Sequence, residues 1–140
     1  MLDASILRQV TEIFGNLEAN YTLSIELSPS RNEGGALVEF LNDFASTSQH
    51  LQVEQHSAEG DTLCFSLLKD GAKTGVSFRG IPNGHEFTSL LLAILNADGK
   101  GKNLPDEGIA RRVRALKGDI RLQTYVSLTC TNCPDIVQTL

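Results

Sequence analysis

Positive charge is scarce in this sequence. Lys and Arg number 12 against 17 Asp and Glu, a formal net charge of −5. Nucleic-acid surfaces are built from clustered basic residues on a basic domain, so this balance argues against one. The dense basic run is Arg111-Arg112-Val113-Arg114. Its valine sits at helical spacing from other apolar residues, so the run reads as a solvated helix face, with an acidic protein partner as the alternative. Long apolar runs are also missing. None approaches the ~18 residues that a membrane helix needs. No charged-then-apolar leader precedes the amphipathic pattern that starts at Met1-Leu2-Asp3, and the expectation is a cytoplasmic protein without membrane contact. Cysteine is sparse and odd in number, three in all. A secreted disulfide scaffold would be denser and usually even.

The chain has 140 residues, 41% hydrophobic and 21% charged, a globular balance with length for one ordinary domain. Leu2, Ile6, Leu7, Val10, Ile13, Phe14 and Leu17 fall on one face of a helix, which Gly15-Asn16 weakens at its end. Tyr21, Leu23, Ile25 and Leu27 alternate with polar residues as a strand. After Ser28-Pro29-Ser30-Arg31-Asn32, a second helix carries Ala36, Leu37, Phe40, Leu41 and Phe44 on one face. Leu51 to Glu54 is a short strand. Thr62 to Lys69 is a more buried one, with Cys64 among Leu63 and Phe65 as a small hydrophobe. Asp70-Gly71 turns it back antiparallel into Gly75-Val76-Ser77-Phe78. A helix from His85 presents Phe87, Leu90, Leu91, Ile94 and Leu95. The order α-β-α-β-β-β-α predicts an α/β, thioredoxin-like fold: a mixed central sheet with helices on both faces, its β-α-β part parallel.

Ala97 to Asn103 is glycine-rich and polar, and marks a boundary. Pro105, Asp106 and Glu107 suit a helix start, Lys117-Gly118 its stop, and Ile109, Val113 and Leu116 form its stripe. Ile120 to Leu128 alternates as a strand and leads into Cys130-Thr131-Asn132-Cys133-Pro134, after which a helix begins. Strand, C-x-x-C, helix is how a thioredoxin-like domain opens. The expected organisation is a thioredoxin-like domain without a dithiol over 1–98, a linker and connecting helix over 99–118, and the truncated start of a second tandem unit over 119–140.

Cys130 and Cys133 are the candidate catalytic pair. The reacting species is a thiolate, and the positive end of a helix lowers a cysteine pKa from ~8.5 into the range ~3.5–7.5. Two intervening residues bring both sulfurs within bridging reach. Cys130 attacks a partner's disulfide and Cys133 resolves the mixed disulfide. The competing reading is half of a zinc site, which wants four ligands; Cys64, His50, His56 and His85 supply no second paired spacing.

Two blocks carry a resemblance. Gly80-Ile81-Pro82-Asn83-Gly84-His85-Glu86-Phe87-Thr88-Ser89-Leu90 and Tyr125-Val126-Ser127-Leu128-Thr129-Cys130-Thr131-Asn132-Cys133-Pro134-Asp135 resemble the N-terminal domain of the F component of alkyl hydroperoxide reductase, a flavoprotein that reduces a peroxiredoxin with NADH. The resemblance implies two fused thioredoxin-like folds, with the dithiol in the second. It also implies a relay from downstream FAD and NADH domains of the same chain to a peroxiredoxin subunit, and leaves a homodimer through the parent protein open. It adds Glu86 as an acid able to shuttle protons to the thiols; the bland reading is an acid favoured by the dipole of a helix's first turn. No G-x-G-x-x-G run opens a helix after a strand, so no cofactor is expected on these residues. The alternative function is a non-catalytic thioredoxin-like interaction or scaffold domain.

Overall fold

A computed structural model describes residues 2–102, 104–125 and 130–139. The chain separates into two compact units, Met1–Asn83 and Gly84–Leu140. Among the described residues no helix is long and apolar enough to cross a membrane.

The first unit opens with α1 (Ala4–Ile13). The Asp3 carboxylate accepts from the Ser5 amide at 2.7 Å and the Ser5 hydroxyl at 2.6 Å, which satisfies an orphan donor of the first turn. Gly15 and Asn16 are weak helix formers, and the helix tightens there into a 3-10 turn, Phe14–Asn16. Val10, Phe14 and Leu17 are buried, and Phe14 meets Phe44 edge-to-face with ring centroids 5.6 Å apart.

Strands β1 (Tyr21–Leu27), β2 (Leu51–Ser57), β3 (Leu63–Lys69) and β4 (Ala72–Arg79) form a mixed sheet in the order β2-β1-β3-β4. Helix α2 (Gly34–Ala45) links β1 to β2 and buries Leu37, Phe40, Leu41 and Phe44. The β-α-β pair is parallel, Tyr21 opposite Leu51, and the other pairings are antiparallel. β2 continues three residues beyond the expected Glu54, because β1 offers a partner for each of them through Leu27↔Ser57. The β3–β4 turn is Asp70-Gly71, with φ of 49° and 81°, the positive pair that a tight two-residue hairpin demands.

Tyr21, Leu23 and Ile25 with Leu63, Phe65 and Leu67 make the buried face, and Phe65 stacks on Phe78 at 5.2 Å. β3 therefore alternates and is not buried on both sides. Cys64, expected as a buried small hydrophobe, lies on the other face, half-buried. There it pairs across the sheet with Glu26 and Arg79. A strand side chain one position from a buried neighbour must point away from it.

The second unit holds α3 (His85–Ala97), α4 (Glu107–Arg114) and α5 (Cys133–Thr139). Asp106 caps α4 by accepting from the Ile109 amide at 2.9 Å, so Pro105 stands just before the cap and not at the first helical position. Glu107 at the start and Arg111, Arg112 and Arg114 in the last turn suit the dipole. The expected stripe is present but uncovered: Ile109, Val113 and Leu116 are all exposed. Ile120–Tyr125, expected as the start of a strand, has no regular structure. Alternation alone does not make a strand, which needs a neighbour for its backbone N–H and C=O groups. Val126–Leu128, the rest of that expected strand, lies outside the described residues.

Candidate functional site

Cys130 and Cys133 form a disulfide, with Cα atoms 5.5 Å apart, inside the usual bridging range. Both residues are half-buried, and Thr131 and Asn132 between them are exposed. Cys133 opens α5, so the pair sits at a helix N-terminus, where partial positive charge and unpaired amides accumulate. Pro134 in that first turn gives up an N–H that the helix would not use. Asp135, also in the first turn and exposed, favours the helix through its dipole. Near its end, the Thr139 hydroxyl donates to the Asp135 carbonyl at 2.7 Å.

Glu86 occupies the first turn of α3 and is exposed, as is His85. Its position matches the dipole reading: the helix has Gly84 at its N-cap, which offers no side chain, and Glu86 is the acid of its first turn. The dithiol and Glu86 lie on two helices of the same unit, and α3 packs against α5. One hydrogen bond across that packing had no signal in the sequence. The Gln138 side-chain amide donates to the Ser89 hydroxyl at 3.4 Å, and that hydroxyl donates to the His85 carbonyl at 3.3 Å. The two residues stand 49 positions apart and belong to no motif.

Cys64 is chemically distinct from the pair. Its Sγ donates to Glu26 Oε2 at 3.7 Å. Burial pushes its thiol above the ordinary range, the Glu26 charge and hydrogen bond add to this, and Arg79 pulls weakly the other way. Among the described residues, no three His, Cys, Asp or Glu side chains converge as a metal site. The loop that opens α2, Ser28-Pro29-Ser30-Arg31-Asn32-Glu33-Gly34-Gly35, lacks the glycine fingerprint that would cradle a dinucleotide pyrophosphate.

No family model matches the chain. It is 36% identical, over all 140 residues, to the F component of alkyl hydroperoxide reductase of Staphylococcus epidermidis, and spans 27% of that relative's length. Its structure matches the crystallised NTD_N/C domain of alkylhydroperoxide reductase AhpF from Enterococcus faecalis, with TM-score 0.78 and 28% identity, covering 99% of this chain and 75% of that one. A protein disulfide oxidoreductase from Aeropyrum pernix has the same fold, with TM-score 0.78 at 20% identity, covering 99% and 66%. The mixed sheet with its helices is thus thioredoxin-like.

Proposed function

From a chain homologous along its whole length to the F component of alkyl hydroperoxide reductase, and matching the N-terminal domain of that protein in structure, we propose a thiol–disulfide relay module. Its electrons come from a flavin domain elsewhere in the parent protein and go to a peroxiredoxin that reduces alkyl hydroperoxides. The observation that carries this reading is the Cys130–Cys133 disulfide at the start of α5.

The chemistry balances as a two-electron exchange. In the reduced form, the Cys130 thiolate attacks one sulfur of the peroxiredoxin disulfide, and the other sulfur leaves as a thiolate. Cys133 then loses its proton and attacks the Cys130 sulfur. The second peroxiredoxin sulfur departs, and Cys130–Cys133 is left oxidised. Two electrons have moved to the partner, whose two departing thiolates take up protons from solvent, while the Cys130 and Cys133 protons have gone to solvent and to the acceptor of the Cys133 proton. Glu86 is the proposed proton acceptor for Cys133, by resemblance and by its place on the helix that packs against α5. FAD and NADH belong to the rest of the parent protein in this reading, by the resemblance to that flavoprotein. The module works in the cytoplasm, where a reducing environment keeps the cycle turning. In this reading residues 1–98, whose β1 is followed by Ser28-Pro29-Ser30-Arg31 and no dithiol, are a degenerate thioredoxin-like platform, 99–118 a linker and connecting helix, and 119–140 the start of the second of two tandem units.

The test is thiol counting and transfer. The chain reduced by dithiothreitol should lose two thiols on mild oxidation. Freed of reductant, it should reduce an oxidised peroxiredoxin of the alkyl hydroperoxide reductase type, and Cys130→Ser should abolish both. If two thiols cycle but no such peroxiredoxin is reduced, the partner assignment is wrong. If no reversible disulfide forms, the interaction-domain reading replaces the relay. Glu86→Gln should slow exchange several-fold; an unchanged rate removes Glu86 from the scheme.

A further inference from the structure

After β4 the chain runs Gly80-Ile81-Pro82-Asn83-Gly84 to the start of α3, and Asn83 lies in neither strand nor helix. The bond between Asn83 and Gly84 is also where the first compact unit gives way to the second along the chain. Both residues are exposed. Gly84 has φ of 56°, in the left-handed region that glycine enters without strain. The space beside it is open, since a Cβ built there would meet nothing within 4 Å. Its carbonyl accepts from the Phe87 amide at 3.3 Å, as α3 begins. Its own amide meets no acceptor among the described residues.

A carboxamide stands next to that unengaged nitrogen. Asparagine is a labile residue because the following backbone nitrogen can attack its side-chain carbonyl carbon. A Cβ on the following residue crowds the attack, and glycine has none. Asn83 is the asparagine of this chain that precedes a glycine; each of the others precedes a residue with a side chain. Asn42 and Asn96 also lie inside α2 and α3, where the backbone is held by the helix. The Asp98-Gly99 pair shows the contrast, because the Gly99 amide is occupied by the Asn96 carbonyl at 3.0 Å.

We propose that Asn83 is a self-modification site, which converts to aspartate and isoaspartate through a cyclic imide formed with the Gly84 nitrogen. That nitrogen, its proton taken by a base in solvent, attacks the Asn83 Cγ. The bond from Cγ to the side-chain nitrogen breaks, and ammonia leaves. Water then opens the five-membered imide at either carbonyl. Breaking the new Cγ–N bond gives aspartate. Breaking the bond to the backbone carbonyl leaves the main chain running through Cγ, as isoaspartate. One water is consumed and one ammonia released, with no oxidant or reductant. Either product places a new carboxylate just before α3, at the positive end of that helix and on the segment that carries His85 and Glu86. Isoaspartate also lengthens the main chain by one carbon there. No thiol takes part, so the inference stands apart from the relay reading.

The experiment holds the whole 140-residue chain in mildly alkaline buffer for days, folded and, in parallel, unfolded in urea. Peptide mass mapping locates any exchange of amide for acid. A protein isoaspartyl methyltransferase with a labelled methyl donor detects isoaspartate, and released ammonia is measured. In the folded chain the Asn83 peptide should gain the mass of the exchange before any other, with methyl label on it and ammonia released in step. Asn83→Gln should abolish all three signals at that peptide. Asn83→Asp should reproduce the acidic shift of aged wild type on isoelectric focusing without releasing ammonia there. An Asn83 peptide that stays intact in the folded chain while it converts in urea would overturn the proposal, because the fold would then shield it. Another asparagine converting first in the folded chain would also overturn it. Both of these are read on the wild type, so the test holds even where a variant fails to fold.

Discussion

A thiol takes its character from what lies within a few ångströms, and the cysteines of this chain have different surroundings. Cys130 and Cys133 meet a helix N-terminus, whereas Cys64 shares a sheet face with Glu26 at 3.7 Å. Burial and that carboxylate hold the Cys64 proton in place. In a Cys130→Ser/Cys133→Ser chain, Cys64 should therefore react with iodoacetamide more slowly than glutathione does near about pH 8. Glu26→Gln should speed it up, since it removes the charge that opposes a thiolate. A Cys64 that reacts as fast as a free thiol would contradict this. The sign for stability follows from the raised value: the contribution is complete below the ordinary thiol range and is lost as pH rises through the folded-state value. Asp3 titrates the opposite way. The hydrogen bonds from the Ser5 hydroxyl and amide hold its carboxyl below the usual range. Its contribution is present above the ordinary carboxylate value and is lost as pH falls through the lowered one. Asp3→Ala should lower the melting temperature at neutral pH, and the difference from wild type should vanish in acid.

At the scale of elements, local signals and tertiary contacts divided the work. Asp70-Gly71 between two apolar runs was readable because a two-residue hairpin leaves few conformations, and Gly71 adopts the φ of 81° that a Cβ disfavours. Gly71→Ala should destabilise the sheet by about 1–2 kcal/mol, measured by urea unfolding. Leu23, on the central strand and without solvent exposure, should cost about 2–5 kcal/mol as Leu23→Ala by the same measure. A much smaller loss would mean that β1 is not the centre of the core. Periodicity located α1, β1, α2, β3, β4 and α3, and the thioredoxin-like order followed from them. It misled at β3, where Cys64, Leu67 and Leu68 blurred the alternation that the pairing imposes. It also misled over Ile120–Tyr125, whose alternation is that of a strand although none of the sheet's strands pairs with it. The Cys130–Cys133 pair was legible because its chemistry lies within four consecutive residues. Ser89–Gln138 was not, because hydrogen bonds between distant residues leave no local pattern.

At the scale of the whole molecule, the core of the sheet and the cysteine pair belong to different units, although Leu90 and Ile94 of α3 are buried in the second. The buried aromatic and aliphatic residues of the sheet lie in Met1–Asn83, and both redox sulfurs lie in Gly84–Leu140. The disulfide joins residues only three apart in sequence. Such a loop was already short in the unfolded chain, so closing it removes little conformational entropy. Redox cycling should therefore leave the fold of the first unit untouched, as a carrier that alternates between two states requires. Far-ultraviolet circular dichroism melts of the chain with and without dithiothreitol should give the same transition for the sheet. Amide hydrogen exchange should agree. β1, bonded on both sides by β2 and β3, should be the slowest segment in both redox states. Lys117–Tyr125, without regular structure, should exchange fastest in both. If reduction instead lowered the sheet's melting temperature by several degrees, the dithiol and the core would unfold as one cooperative body, and the first unit could not serve as an inert platform.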